Sequence, residues 1–291
     1  MICIFCLRAD QPHSEEHIIP QGLVGTEDVV ASNGTDSETV RFTLANGEVC
    51  RDCNSRMSEI DRSLQDAVGI LRVYWNHVGT KKGTPATATR PGLLATRRPG
   101  GPHIILNEES HAVTTESGTV IPPADGRRNA LEGVRINFGS DGKPRDATFI
   151  QPITLTKKVI RAMHKIAFET MCFQRGAAKV LDSRYDALRR YILRGNGSRS
   201  VGVPRDLSSI SADTVMRRPV VGLQRLVNTL DFIAELRMGI TFRIDLTPDQ
   251  SVVWPSAFFK AADKQQLKLR LHSQLLIQDA VSSAPPRTTD R

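Results

Sequence analysis

A chain of 291 residues is long enough for two domains, and its 40% hydrophobic and 24% charged residues are those of a globular protein. No apolar run is long enough to cross a membrane, and no membrane partner is expected. The formal net charge of +8 is divided unevenly: residues 1–80 carry 6 Lys/Arg and 12 Asp/Glu, and residues 81–291 carry 33 and 19. We therefore expect the basic remainder of the chain to attract a polyanion, although a basic balance that serves solubility alone is the alternative.

Two Cys-x-x-Cys pairs, Cys3/Cys6 and Cys50/Cys53, are the first motif in the chain. The spacing within each pair lets both sulfurs reach one ion from a tight turn, and four thiolates suit one tetrahedral zinc. Disulfides or ordinary thiols are the alternative. Because the motif begins at the third residue and leaves no room for a secretion signal, we expect a cytoplasmic protein with reduced thiols, in which paired Cys-x-x-Cys spacing indicates metal.

The 43 residues between the two cysteine pairs are more than a simple zinc ribbon uses, so a functional element is expected inside this loop. The loop contains Glu16-His17, and Asn54 follows the last cysteine directly. Carboxylate and amide oxygens favour a hard cation such as magnesium, and a neutral imidazole can act as a general base. The structural alternatives are a histidine without a catalytic role and an asparagine that caps a helix predicted over 55–77.

This combination of residues resembles the HNH endonuclease family, the zinc-containing form of the ββα-metal nucleases, over about residues 1–66. The matching segments are Cys3, Cys6, Glu16-His17-Ile18-Ile19-Pro20 and Cys50-Arg51-Asp52-Cys53-Asn54. The resemblance implies a structural Zn²⁺ on the four cysteines. It also implies a catalytic Mg²⁺ or Mn²⁺ held by Glu16 and Asn54, with His17 as the general base that activates water.

A second asparagine of this family steadies the histidine, and Asn46, four residues before Cys50, matches it best. Asn33 is a weaker match, and Asn46-Gly47 is also typical of a hairpin turn. Phosphodiester cleavage suits these residue types, because it needs a base to deprotonate water and positive charge at the developing phosphorane. A carboxylate and a carboxamide would leave most of the magnesium coordination shell to water and phosphate.

The resemblance and the composition together predict an α+β protein. A zinc-stapled ββα-metal (HNH) module, closed by the four cysteines, is expected over residues 1–78, and a basic α+β domain over 103–281. Between them, residues 79–102 hold five basic residues, no acid and several Pro and Gly, which indicates a linker or loop. Residues 282–291 are expected to be a disordered tail.

Two consecutive basic helices are predicted in the C-terminal domain, over 156–176 and 182–193. In the first of them, Lys158, Arg161 and Lys165 recur at spacings of three and four and so share one face. This basic stripe predicts contact with nucleic acid. A solvated charged face is the alternative.

The sequence therefore predicts a metal-dependent HNH endonuclease that hydrolyses phosphodiester bonds, with DNA favoured over RNA as substrate and partner. Restriction, phage defence and mobile elements are the settings that the resemblance implies. The alternative is a non-catalytic zinc-stapled nucleic-acid-binding or adaptor protein, in which Glu16-His17 is structural. A third class is an effector that an activating partner protein or signal switches on.

Overall fold

The fold of the computed structural model is α+β, with helices and several sheets built mainly from antiparallel strands. The described residues are 1–24, 29–32, 37–40, 42–68, 87–90, 93–98, 101–106, 113–114, 120–121, 135–138, 140, 144–205, 220–226, 232–249 and 258–275. The tail predicted at 282–291 lies outside them. No helix within these segments is long and apolar enough to cross a membrane.

The elements fall into three groups along the chain. The first group is β1 (His13–His17), α1 (Gln21–Val24), β2 (Val29–Ser32), β3 (Ser37–Val40), β4 (Thr43–Cys50) and α2 (Arg51–Val68). The second is β5 (Thr87–Arg90), β6 (Leu93–Arg98), β7 (Gly101–Leu106), β8 (Val113–Thr114), β9 (Val120–Ile121), β10 (Arg135–Phe138) and β11 (Pro144–Thr154). The third is α3 (Lys157–Arg175), α4 (Ala177–Val180), α5 (Asp186–Arg194), β12 (Val201–Pro204), β13 (Val220–Arg225), β14 (Phe232–Arg237), β15 (Thr241–Asp245), β16 (Phe259–Ala262) and β17 (Gln266–Leu275).

In the first group, β1 pairs antiparallel with β4, and the register of this pairing shifts between Ser14 and Glu16. Within the irregular part of β4, Gly47 has a φ of +85°, and a Cβ at this position would meet the ring of His13 at 3.1 Å. Glycine is therefore the residue that fits there. Such an irregularity re-aims the side chains beside it, and here Glu16 is buried while His17 is half-buried.

Helix α2 follows β4 directly and packs one apolar face on the core. Its buried apolar residues, at spacings of three and four after Cys53, are Met57, Ile60, Leu64 and Val68. The helix predicted over 55–77 is confirmed for its described part, but it begins earlier, at Arg51. Residues 69–77 lie outside the described residues. Because Asn54 is inside the first turn and not before it, the alternative that Asn54 caps the helix is wrong.

Five strands of the second group join β17 in a mixed six-stranded sheet in the order β10-β11-β17-β7-β6-β5, while β8 and β9 pair with each other in a separate sheet. β11 and β17 pair antiparallel, and β17 pairs parallel with β7. The linker predicted over residues 79–102 is therefore wrong for β5 and β6, which pair with each other and with β7 inside this sheet. The Pro-Gly pairs that suggested a linker fall between these strands in the sequence, outside the described residues. Residues 79–86 lie outside the described residues.

Helix α3 lies at the centre of the molecule, between α2 and the five-stranded sheet β13-β14-β15-β12-β16. The Thr156 hydroxyl accepts a hydrogen bond from the Val159 N–H, and the Gly176 N–H donates to the Cys172 carbonyl. The helix predicted over 156–176 is thus confirmed with its cap and its stop. The predicted second helix is α5, preceded by a 3₁₀ turn at Ser183–Tyr185.

Candidate metal centre and the residues beside it

The four cysteines of the two pairs meet where the N-terminal turn, β4 and α2 come together. All their sulfurs lie within 4.8 Å of one another, and the Sγ atoms of Cys6 and Cys50 are 3.7 Å apart. A tetrahedral zinc with Zn–S bonds of about 2.3 Å holds its sulfurs about 3.8 Å apart. The predicted grouping is confirmed, and the four thiols can hold a metal ion such as zinc. All five cysteines of the chain are free thiols in this structure.

Backbone hydrogen bonds fix the turns that carry these cysteines. The Leu7 N–H donates to the Cys3 carbonyl (2.9 Å) and the Cys3 N–H to the Arg8 carbonyl (3.0 Å), which closes the first turn. The Cys50 N–H donates to Cys3 Sγ (3.4 Å), and the Cys53 N–H donates to Cys50 Sγ (3.5 Å). Donors aimed at sulfur favour the thiolate, which is the form of cysteine that binds metal.

The thiols differ in pKa because they lie against one another. A hydrogen bond with the Cys53 thiol lowers the pKa of Cys3 to about 4, and the same bond raises the pKa of Cys53. Burial raises the pKa of Cys6. Because zinc binds the thiolate form, binding of the metal releases the protons that the thiols carry.

We expect the purified protein to carry about one tightly bound zinc per chain. Cys50→Ala should abolish zinc binding and unfold the N-terminal module, because the two turns are then no longer tied to one ion. Elemental analysis and near-ultraviolet circular dichroism measure both effects. Cys172→Ala is the matched control, since Cys172 is buried on α3 outside the cluster and its loss should leave the zinc content unchanged. Folded, freshly prepared protein without zinc would contradict the expectation.

The structure brings two of the predicted catalytic-metal ligands together. Glu16 lies on β1 and is 4% exposed, and Asn54 lies in the first turn of α2. The Asn54 amide donates to Ser14 Oγ (3.1 Å) and to the Glu15 carbonyl (3.5 Å), so it is directed at β1. Burial raises the pKa of the Glu16 carboxyl, and the nearby Asn54 amide acts in the opposite direction. His17, next on the strand, is half-buried.

A neighbouring amide holds the imidazole of His17. The Gln21 Nε2 lies 2.8 Å from His17 Nε2. An amide N–H can only donate, so this contact makes Nε2 the acceptor and engages its lone pair. That tautomer is the one a general base at Nε2 requires.

Asn46 does not reach His17. Its backbone N–H and its side-chain amide both donate to the carboxylate of Glu48, at 2.8 and 3.3 Å. The prediction that Asn46 steadies the histidine is therefore corrected: the irregular part of β4 directs this side chain to a local partner. The hairpin-turn alternative is also wrong, because Asn46 and Gly47 lie within β4. Asn33 lies outside the described residues.

A buried carboxylate cluster, made by Glu16, Asp61 and Glu169 around Lys165, was not predicted. Lys165 Nζ lies 2.6 Å from Glu16 Oε1, 2.8 Å from Asp61 Oδ2 and 3.7 Å from Glu169 Oε2. Lys165 and Glu169 have no exposed surface. The one signal in the sequence is the spacing of four between Lys165 and Glu169 on an otherwise largely apolar stretch of helix.

Burial disfavours the charged forms of the side chains in the carboxylate cluster. Burial raises the pKa of Glu16 in spite of Lys165, and burial raises the pKa of Glu169 well above its ordinary value. Burial acts to lower the pKa of Lys165, but the charges of Glu169, Asp61 and Glu16 outweigh it and raise that pKa. Both carboxylate oxygens of Glu169 and Oδ1 of Asp61 are buried without a hydrogen-bond partner among the described residues. The charge of Lys165 therefore offsets part of the desolvation cost of burying these carboxylates.

The predicted basic stripe of α3 is not a continuous exposed surface. Arg161 donates through Nε and Nη2 to the Ile192 carbonyl (3.0 and 2.7 Å), and Lys158 pairs with Glu59 of α2 at 2.5 Å. Lys165 is fully buried. The prediction of a nucleic-acid contact is corrected for Lys165, because α3 is packed on both sides and this side chain cannot reach a phosphate. For Lys158, which is 49% exposed, the contact stays a prediction.

Comparisons with protein-family models, with curated proteins and with solved structures found no match to this chain.

Proposed function

We propose that this protein is a metal-dependent endonuclease of the HNH type that hydrolyses the phosphodiester bonds of DNA. The observation that carries the proposal is the approach of Asn54 to the strand that carries Glu16 and His17, beside the four-cysteine centre. Glu16 is on β1 and Asn54 on α2, and the two elements are brought together by the pairing of β1 with β4, which α2 follows directly. The order β1, β4, α2 also agrees with the strand-strand-helix arrangement that the resemblance implies.

In this proposal each residue has a separate task. Glu16 and Asn54 carry oxygen donors, which suit Mg²⁺ or Mn²⁺, and a cation there would stabilise charge on the scissile phosphate. Asn54 would turn its amide to offer Oδ1, because its N–H group faces β1 in this structure. His17 accepts the proton of the attacking water at Nε2, once the substrate water takes the place of the Gln21 amide. The cysteine centre fixes the start of α2, and with it the position of Asn54.

Lys165, at the centre of the carboxylate cluster, competes with a metal cation for the carboxylate of Glu16. Lys165 engages Oε1 of Glu16, and the oxygen donor set is otherwise suitable for a hard cation. The ammonium of Lys165 opposes a second positive charge on the same carboxylate. A second candidate function therefore has an observation of its own: a non-catalytic zinc-stapled nucleic-acid-binding or adaptor protein, in which the Glu16–Lys165 pair is purely structural.

A plasmid-nicking assay separates the two candidates. Protein freed of loosely bound divalent ions, with its zinc content verified, is incubated with supercoiled plasmid in the presence and absence of Mg²⁺ or Mn²⁺. The endonuclease nicks or linearises the plasmid only when the added metal is present. A binder shifts the plasmid on a gel without cleaving it. Absence of cleavage on plasmid, single-stranded DNA and RNA with either metal would overturn the proposed function.

The two asparagines should respond differently to substitution. Asn54→Ala removes a proposed metal ligand, and we expect it to lower cleavage by about tenfold or more and to raise the Mg²⁺ concentration needed for half-maximal cleavage. Asn46→Ala removes only bonds to Glu48, and its cleavage rate should stay close to that of the wild type. Initial rates over a magnesium titration measure both. Equal losses for the two variants would contradict the assignment of Asn54.

A further inference from the structure

A cavity of about 280 Å³ opens beside the four-cysteine centre, between the first turn of the chain, α2 and α5. Its volume is close to the lower end of the range of about 300–1,000 Å³ that small-molecule sites occupy. The lining includes the apolar side chains of Phe5, Leu7 and Leu193. Cys6, Cys50 and Cys53 of the four-cysteine centre form one wall of it, whereas none of the proposed catalytic residues Glu16, His17 and Asn54 lines it.

Four arginines line this cavity without partners. Arg8 follows the first cysteine turn, Arg56 lies one turn beyond Cys53 on α2, and Arg190 and Arg194 are one turn apart on α5. All four are exposed, and none of their guanidinium groups forms a hydrogen bond or an ion pair with another residue in the described parts of the chain. Four unpaired guanidinium groups around one concave surface are a site for an anion.

The remaining charges of the lining do not neutralise these arginines. Asp186 is engaged by Arg189, whose guanidinium also donates to the carbonyls of Val180 and Asp182. Asp52 is then the one unpaired acid of the lining. A zinc tetrathiolate carries a formal charge of about −2. Four arginines exceed that charge and Asp52 combined, so the cavity attracts an anion even with zinc bound.

Leu7 adds an apolar contact in an unusual conformation. Its φ is +61°, in the left-handed region that favours glycine, and its side chain is 45% exposed. Leu7 therefore places an apolar side chain at the edge of the cavity, at a position whose backbone conformation favours glycine. Backbone strain of this kind occurs where a side chain serves a ligand.

We propose that this cavity binds a phosphate-bearing ligand with an apolar or planar portion, the chemistry of a nucleotide. Arg190 and Arg194 hold the phosphates, because planar guanidinium groups match pairs of phosphate oxygens. Leu7 contacts the base or sugar. The nucleotide is either free or the phosphorylated end of a strand, and the proposal does not require that His17 be catalytic.

Isothermal titration calorimetry on the full, zinc-loaded chain tests this assignment. The probes are pyrophosphate, ADP, and a 5′-phosphorylated DNA oligonucleotide with its 5′-hydroxyl counterpart, without added Mg²⁺ and in a His17→Ala background so that cleavage cannot interfere. The double variant Arg190→Gln/Arg194→Gln should weaken phosphate-dependent binding by about tenfold or more. The matched control is Arg62→Gln/Arg205→Gln, which removes the same charge from exposed positions that do not line the cavity.

Leu7→Gly separates the two parts of the ligand. Glycine accepts the left-handed backbone, so zinc content and the thermal midpoint should not fall, while ADP should lose affinity and pyrophosphate should not. Binding of ADP and pyrophosphate identifies a free nucleotide, and binding of the 5′-phosphorylated strand alone identifies a strand end. The proposal is overturned if no probe binds saturably, or if the control double variant weakens binding as much as Arg190→Gln/Arg194→Gln.

Discussion

His17→Ala is expected to leave the protein folded, zinc-loaded and able to bind DNA, and to lower the rate of plasmid cleavage by about 10²–10⁴-fold, the usual contribution of a positioned general base. The side chain is half-buried and packs no core, so its removal should cost little stability. Its Nε2 accepts a hydrogen bond from the Gln21 amide, so Nε2 is the unprotonated ring nitrogen, as a general base requires. Additional magnesium should not restore the rate, because the substitution removes the general base and leaves the proposed metal ligands in place.

The control for this prediction is Gln21→Ala, which removes the amide that holds His17 and keeps the base. Its cleavage rate should fall far less than that of His17→Ala. Single-turnover cleavage of supercoiled plasmid measures the rates, and circular dichroism with elemental analysis verifies fold and zinc. If a folded His17→Ala protein cleaves at the wild-type rate, the Glu16-His17 pair is structural and the proposed mechanism fails.

Lys165→Met is expected to destabilise the protein by about 3–5 kcal/mol, because it leaves buried carboxylates without the cation that pairs them. Methionine keeps most of the side-chain volume, so the effect isolates the charge and not a cavity. Lys158→Met is the matched control on the same helix: its pair with Glu59 is exposed, and such pairs contribute little to stability. Urea unfolding followed by circular dichroism measures the free energy of unfolding of each variant.

A combined variant strengthens this test. Adding Glu16→Gln and Asp61→Asn to Lys165→Met removes two of the three carboxylates that lost their partner, and part of the lost stability should return. The same free energy of unfolding for Lys165→Met and Lys158→Met would contradict the importance of the carboxylate cluster. The result also bears on function, since Lys165 positions the carboxylate that we propose as a metal ligand.

Local signals in the sequence were sufficient for the metal centre and for the principal helices. Each Cys-x-x-Cys pair encodes its own turn, and the closeness of the two pairs follows from the requirement of one tetrahedral ion. Thr156 and Gly176 mark the ends of α3 because caps and stops depend only on nearby backbone groups. The apolar periodicity of α2 indicated its buried face for the same reason.

Tertiary structure alone decided which polar side chains meet and which strands pair. Lys165 meets Glu16 across 149 residues, and a spacing of three and four among basic residues cannot show that both faces of α3 are covered. Strands β5 and β6 lie where Pro and Gly suggested a linker; they pair with each other and with β7, which joins the rest of the sheet through the distant β17. The arginine-lined cavity likewise exists only because α5 packs beside the first cysteine turn. Local sequence determined the four-cysteine grouping and the helices. Long-range packing, which local sequence does not encode, determined which charged side chains around them are buried and which are paired.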